Sequence, residues 1–172
     1  MIREVLNSYS ICLHQVRHLV SDLTDEQLVC QTPSCKNHAA WTIGHLVYSA
    51  QTIGAEVHIK DWLSPDWLEL FATGTTPVPN VGVYPKKQEL LDALEEARQR
   101  LAVRLGMLKK TDLSRALGDR RYREIFPTLG HAVLHVLTVH ASIHLGQLTV
   151  WRKAIDIKDA EQDRSHHIAS AA

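Results

Sequence analysis

The chain has 172 residues, 45% apolar and 22% charged. That is enough to bury one core, expected as a single domain over residues 1–160 with a polar, poorly ordered tail over 161–172. Lys and Arg number 19, as do Asp and Glu, and this balance excludes an overall field that would draw the protein to nucleic acid or an anionic membrane.

The opening residues, Met1 to Gln15, carry charges and a histidine where a secretory signal needs an unbroken apolar stretch. Over the same stretch and on to Val20, the residues Val5, Leu6, Tyr9, Cys12, Leu13, Val16 and Leu19 follow helical spacing. They predict a first helix, Ile2 to Val20, closed by Ser21-Asp22. Thr24 and Gln27 have the capping-box form and predict one or two further turns before Pro33. Cys12, Cys30 and Cys35 are an odd set without a Cys-x-x-Cys pair, which fits a reducing compartment, read here as cytoplasm. Cys30, Cys35 and His38 lack a fourth ligand nearby and read as loop or half-buried residues.

Asn37 is the expected cap of a second long helix, in which Trp41, His45, Tyr48, Thr52, Ala55, Ile59 and Trp62 step by four and three. Ser64-Pro65-Asp66 predicts a short helix carrying Trp67, Leu68 and Leu70. Ala72 to Pro85 holds two glycines and three prolines and must be a long loop. A third helix is expected from Lys86 to Lys110, with Leu90, Leu94, Ala97, Leu101, Leu105 and Leu108 inward. Glu96 and Arg100 form a pair on its outer face, and Lys109 and Lys110 suit its negative end. Thr128 caps a fourth helix that runs to about Ile155. Nothing alternates with a period of two, so no sheet is assigned. The fold class is all-α, a four-helix bundle with a long loop between helices two and three. The most apolar windows are broken by His45, Gln51, Glu56, His140, His144 and Gln147 and do not read as bilayer spans.

The fourth helix carries the most informative pattern. Its inward series Val133, Leu137, His140, His144, Gln147, Trp151 keeps the seam period, but its middle is polar. Buried polar groups need partners, and a metal ion satisfies several imidazoles at once. His140 and His144 lie one turn apart, and a bundle brings the seam residue His45 toward them. Three imidazoles leave a coordination position open, as in catalytic zinc sites. Zinc, nickel or iron would accept such ligands. The bland alternative is three packing histidines satisfied by neighbouring hydroxyls and carbonyls. Gln147 reads as an outer hydrogen-bonding partner of this set or a plain core amide. Tyr48 is a candidate proton donor or a packing residue. His131 and His135, by a regular 100° step, face away from His140 and read as outer-face or subunit-contact residues. His14 and His18 read as surface or partner contacts, and His166 and His167 as incidental. The segment Asp119 to Glu124 could present arginines to an anionic substrate at the bundle mouth. Metal binding is expected to weaken as pH falls through about 6.5, where imidazole protonates.

Trp41-Thr42-Ile43-Gly44-His45-Leu46, together with His140-Ala141-Ser142-Ile143-His144-Leu145-Gly146-Gln147-Leu148 and Trp151-Arg152, resembles the DinB-like (DinB/YfiT) superfamily of four-helix-bundle metalloproteins. The resemblance spans roughly Val5 to Ile155. It implies a divalent metal, often zinc or nickel, held by His45, His140 and His144, usually in a homodimer. It also implies a small-molecule substrate, with metal-dependent hydrolysis or S-transfer from a low-molecular-weight thiol as the activity. A metal-binding stress or interaction protein without catalysis is the alternative.

Overall fold

Apolar stripes at helical spacing build four long rods, and the computed structural model describes residues 2–33 and 35–170, with side chains through Asp156. The elements are α1 (Ile2–Leu19), α2 (Asp25–Leu28), α3 (Ala39–Glu56), α4 (Asp66–Phe71), α5 (Lys87–Gly106), α6 (Lys110–Leu113), α7 (Leu129–Leu134) and α8 (Ala141–Ser170). A π-helical stretch, His135–His140, joins α7 to α8. The fourth rod is therefore α7, the π turn and α8 in one line. Around the bundle α1 packs on α5, α5 on α3, α3 on α8 and α8 on α1. No strand occurs among the described residues; Thr32 and Cys35 make one isolated bridge. Val16, Ile43, Leu90, Leu94, Leu101, Leu137, Leu148 and Trp151 belong to one contiguous core.

Thr24 and Gln27 form the expected capping box, and Thr128 caps α7 by accepting from the His131 amide. The second long helix differs from expectation at both ends. Its cap is His38 rather than Asn37, with the ring Nδ1 accepting from Trp41 N–H at 3.2 Å. It ends at Glu56, and His58 adopts φ 62° just beyond. The inward line there passes through Ile53 and Val57, while Thr52 and Ala55 are exposed, because a 3.6-residue helix drifts off a strict seam over four turns. Trp62 lies beyond the helix and covers Gly54, where an added Cβ would stand 2.8 Å from its ring.

α4 forms as expected, but its N-cap is Pro65 with no side-chain bond, so Ser64 contributes only its carbonyl. α5 stops at Gly106, and Lys109 caps α6 instead of ending α5. The first and third rods are each followed by a single turn, α2 and α6, with different caps. Glu96 and Arg100 pair at 2.6 Å, and Glu95 pairs with Arg98.

By length and mean hydropathy the run Leu129–Asp156 meets the measure of a membrane span. In the structure this run is the fourth rod, packed on α1 and α3. The backbone of α8 continues to Ser170; the expectations for His166 and His167 concern side chains outside the described residues.

Candidate metal centre

Two rods place three imidazoles at one point. His45 projects from the middle of α3 and is 3% exposed. His144 projects from the first turn of α8 and is also buried, while His140 closes the π turn and is half-buried. His140 Nε2 lies 3.1 Å from His45 Nε2 and 3.2 Å from His144 Nε2. All three ring nitrogens fall within 4.8 Å of one another. Tetrahedral ligands at about 2.0 to 2.1 Å from an ion stand roughly 3.3 Å apart, so these separations fit a shared cation.

Proton accounting gives the same answer. His45 Nδ1 lies 2.7 Å from the Phe71 carbonyl, which can only accept, so Nδ1 carries the hydrogen and Nε2 presents a lone pair to the cluster. A single hydrogen on His140 Nε2 can serve only one of its two nitrogen neighbours. The Nδ1 atoms of His140 and His144 and Oε1 of Gln147 are buried without a hydrogen-bond partner. Three neutral rings with facing lone pairs are a poor packing arrangement and a good cation cradle. Burial, joined by repulsion from His144, His45 and His135, lowers the His140 pKa to about 3. Burial and His45 lower that of His144 to about 4, against a small opposing effect of Gln147. Burial also lowers His45. The rings are neutral at physiological pH, the state that ligates metal.

The burial pattern corrects the inward line of the fourth rod. Val133, Leu137, Ala141, His144, Leu148 and Trp151 occupy the core, whereas His140 and Gln147 are half-buried at its edge. The first two steps of four in this series cross the π turn, whose i→i+5 bonding admits an extra residue. The triad therefore lies at the side of the core, on the α3 edge. The same turn corrects the placement of His135. It stands one π repeat before His140 and acts on that ring electrostatically, with its own ring 5.0 Å from Phe126. His131 is exposed, bonded to Thr128 at 2.8 Å. Neither is among the clustered ligands.

Around the triad the long loop supplies contacts that no local pattern reveals. Beyond the Phe71 carbonyl, Trp41 stacks on His45 with ring centroids 4.7 Å apart and planes 9° from parallel. Its indole N–H donates to Thr75 Oγ1 at 2.9 Å, and that hydroxyl donates to Ala72 and Leu70 carbonyls. His38 Nε2–H donates to the Val78 carbonyl at 3.1 Å. A clue to His38 was available, since a histidine at a helix start can accept from the helix amides. The carbonyl of Phe71 carries no such signal.

Tyr48 lies one turn beyond His45 and is half-buried; burial raises its pKa, with Tyr122, Arg121 and Asp61 as charged or titratable neighbours. The segment after α6 is tied to the end of α3 by Glu56, whose carboxylate accepts from Gly118 and Asp119 amides at 2.8 and 2.9 Å. Arg115 reaches the same region through the Glu56 carbonyl. Arg121 is held by Asp119 at 2.6 Å. The same segment reaches Tyr48 on α3 through Tyr122 and Arg121 and meets His135 through the Phe126 ring. Cys12, Cys30 and Cys35 are free thiols, and Cys30, Cys35 and His38 do not form a ligand cluster among the described residues.

The sequence model of the DinB superfamily matches residues 9–148. Among solved structures, the crystal structure of the conserved protein of locus from Enterococcus faecalis superposes with a TM-score of 0.72 at 20% identity. The match covers 90% of this chain and 96% of that one, a likeness of fold. No curated protein matches the chain.

Proposed function

Because the chain belongs to the DinB superfamily, we propose that it binds one divalent metal ion through the Nε2 atoms of His45, His140 and His144 and uses it in a reaction on a small molecule. The observation that carries this reading is the approach of His140 Nε2 to both other ring nitrogens, at 3.1 and 3.2 Å. Zinc or nickel suits the donor set best, and iron would also be accepted. When bound, such an ion lowers the pKa of water or a thiol and polarises a carbonyl, which accounts for the two reaction types considered, hydrolysis and S-transfer from a low-molecular-weight thiol.

The protein's own groups prepare the site. The Phe71 carbonyl fixes the tautomer of His45, and Trp41 fixes its plane. Gln147, near His144 with an unpartnered Oε1, is the acceptor proposed for the His144 Nδ1 hydrogen. Tyr48, one turn beyond His45 on α3, is the proposed proton donor. We also propose a homodimer. Leu134, Val139, Ile143 and Val150 are all about half-exposed. They step by five, four and seven along the fourth rod, so they fall on one line across the π turn, suited to the same line of a second copy.

Elemental analysis of untagged protein tests the site. One equivalent of metal is expected in the wild type, with loss in both His45→Ala and His144→Ala; retention in both removes the ligand assignment. A screen of the loaded protein against esters, amides, and thiols with electrophiles tests catalysis. Metal without turnover would favour a non-catalytic metal-binding protein.

A further inference from the structure

Across the bundle from the triad, where α1 packs on α5, lies a concavity of about 350 Å3. Its polar lining is His14, Arg17, His18, Ser21, Lys87 and Gln88, with four basic groups and no acid. The cations are positioned by uncharged oxygens. Arg17 donates to the Leu91 carbonyl at 2.9 Å, and Lys87 Nζ to the Ser21 and Leu23 carbonyls at 3.1 and 2.5 Å. A carbonyl holds a cation without cancelling its charge.

Two of the acids nearby are paired with arginines outside this concavity, and the other two meet only uncharged donors. Glu95, which acts on Arg17, is gripped by Arg98 at 2.6 and 2.8 Å. Asp22, which acts on Lys87, is gripped by Arg152 at 2.7 and 2.9 Å. Asp92 accepts from the Gln88 amide, and Asp25 accepts from the Lys87 backbone N–H. The first turn of the 20-residue α5 also borders the concavity, with the positive end of its dipole. A second depression shares His14 and Arg17 and extends along the same groove to Ser10 and Leu13, where the Glu95–Arg98 pair also lines it.

His14 and His18 stand one turn apart, a spacing that also suits metal. Arg17 and Lys87 beside them repel a cation, and no three-ligand group forms there among the described residues. Guanidinium, ammonium, imidazoles and a hydroxyl arriving from several directions match a tetrahedral oxyanion better than a planar carboxylate. We propose that the α1–α5 groove binds a small phosphate-bearing molecule, with the phosphate among Arg17, His18 and Lys87 and the body directed toward Ser10 and Leu13. This site is separate from the histidine triad and does not depend on its metal.

The test is a titration of the metal-stripped full chain with inorganic phosphate at constant ionic strength, followed by amide shifts in two-dimensional NMR. Saturable shifts confined to α1 and the start of α5 are expected, with His18→Ala weakening the fit about tenfold. Lys87→Gln should do the same, and its unaltered spectrum elsewhere will show that the fold is kept. Shifts that match those from chloride, that do not saturate, that centre on His45 and His144, or that persist unchanged in both variants would overturn the proposal.

Discussion

Burial turns each imidazole of the triad into a proton-poor ligand before any ion arrives. In the unfolded chain these rings titrate near 6.5, whereas in the fold His140 and His144 titrate at about 3 and 4. Between those values the unfolded state binds more protons. The metal-free protein should therefore lose stability steadily as pH falls from about 6.5 toward 4. Thermal unfolding of metal-stripped protein from pH 7.5 to 4.5 checks this, and a flat melting temperature would contradict it. The same shifts revise the expected pH profile of metal binding, because proton competition within the folded protein is moved well below 6.5. Gln147→Leu should weaken metal affinity about tenfold while leaving the metal-free melting temperature nearly unchanged, since it removes the acceptor proposed for His144 Nδ1 and no ligand. Competition with a chromophoric chelator measures that difference.

At the scale of elements, α3 and α4 are locked together through a glycine. A Cβ on Gly44 would stand 2.2 Å from the Phe71 ring, and Phe71 is the residue whose carbonyl holds His45. Gly44→Ala should cost about 1 to 3 kcal/mol in denaturant unfolding, and it should also lower metal affinity, because the ring cannot retreat without moving that carbonyl. The rods and the three histidines were legible in sequence because helical periodicity and His-x3-His spacing are local signals. Phe71, Thr75 and Val78 were not, since they act through nonlocal contacts, the first from the end of α4 and the others from a loop whose composition says only that it is irregular. The cap at His38 was hidden behind Asn37, a stronger capping residue by type but one position early. The inward register of the fourth rod was misjudged at His140 because backbone bonding, which side-chain spacing does not encode, admitted one more residue, and at Gln147 because steps of three and four fit equally well there and Leu148 takes the buried place.

For the whole molecule, the bundle separates two chemistries on opposite edges: three neutral rings between α3 and α8, and a cationic groove between α1 and α5. Its exposed apolar line on the fourth rod bears on assembly. Ile143 is 53% exposed, and Val139 and Val150 about as much. Sedimentation equilibrium of the wild type should give a dimer and Ile143→Glu a monomer of equal metal content; a monomeric wild type would dismiss the pairing.

The helix with the wide turn works like a ratchet set one tooth forward. Removing any one residue between Val136 and Val139 should let the rod relax to ordinary winding with Val133 upstream and Ala141 downstream still facing the core. His144 would keep its seat while His140 lost the wide turn that it closes, and the pocket would be disarmed with all three of its imidazoles still in the chain.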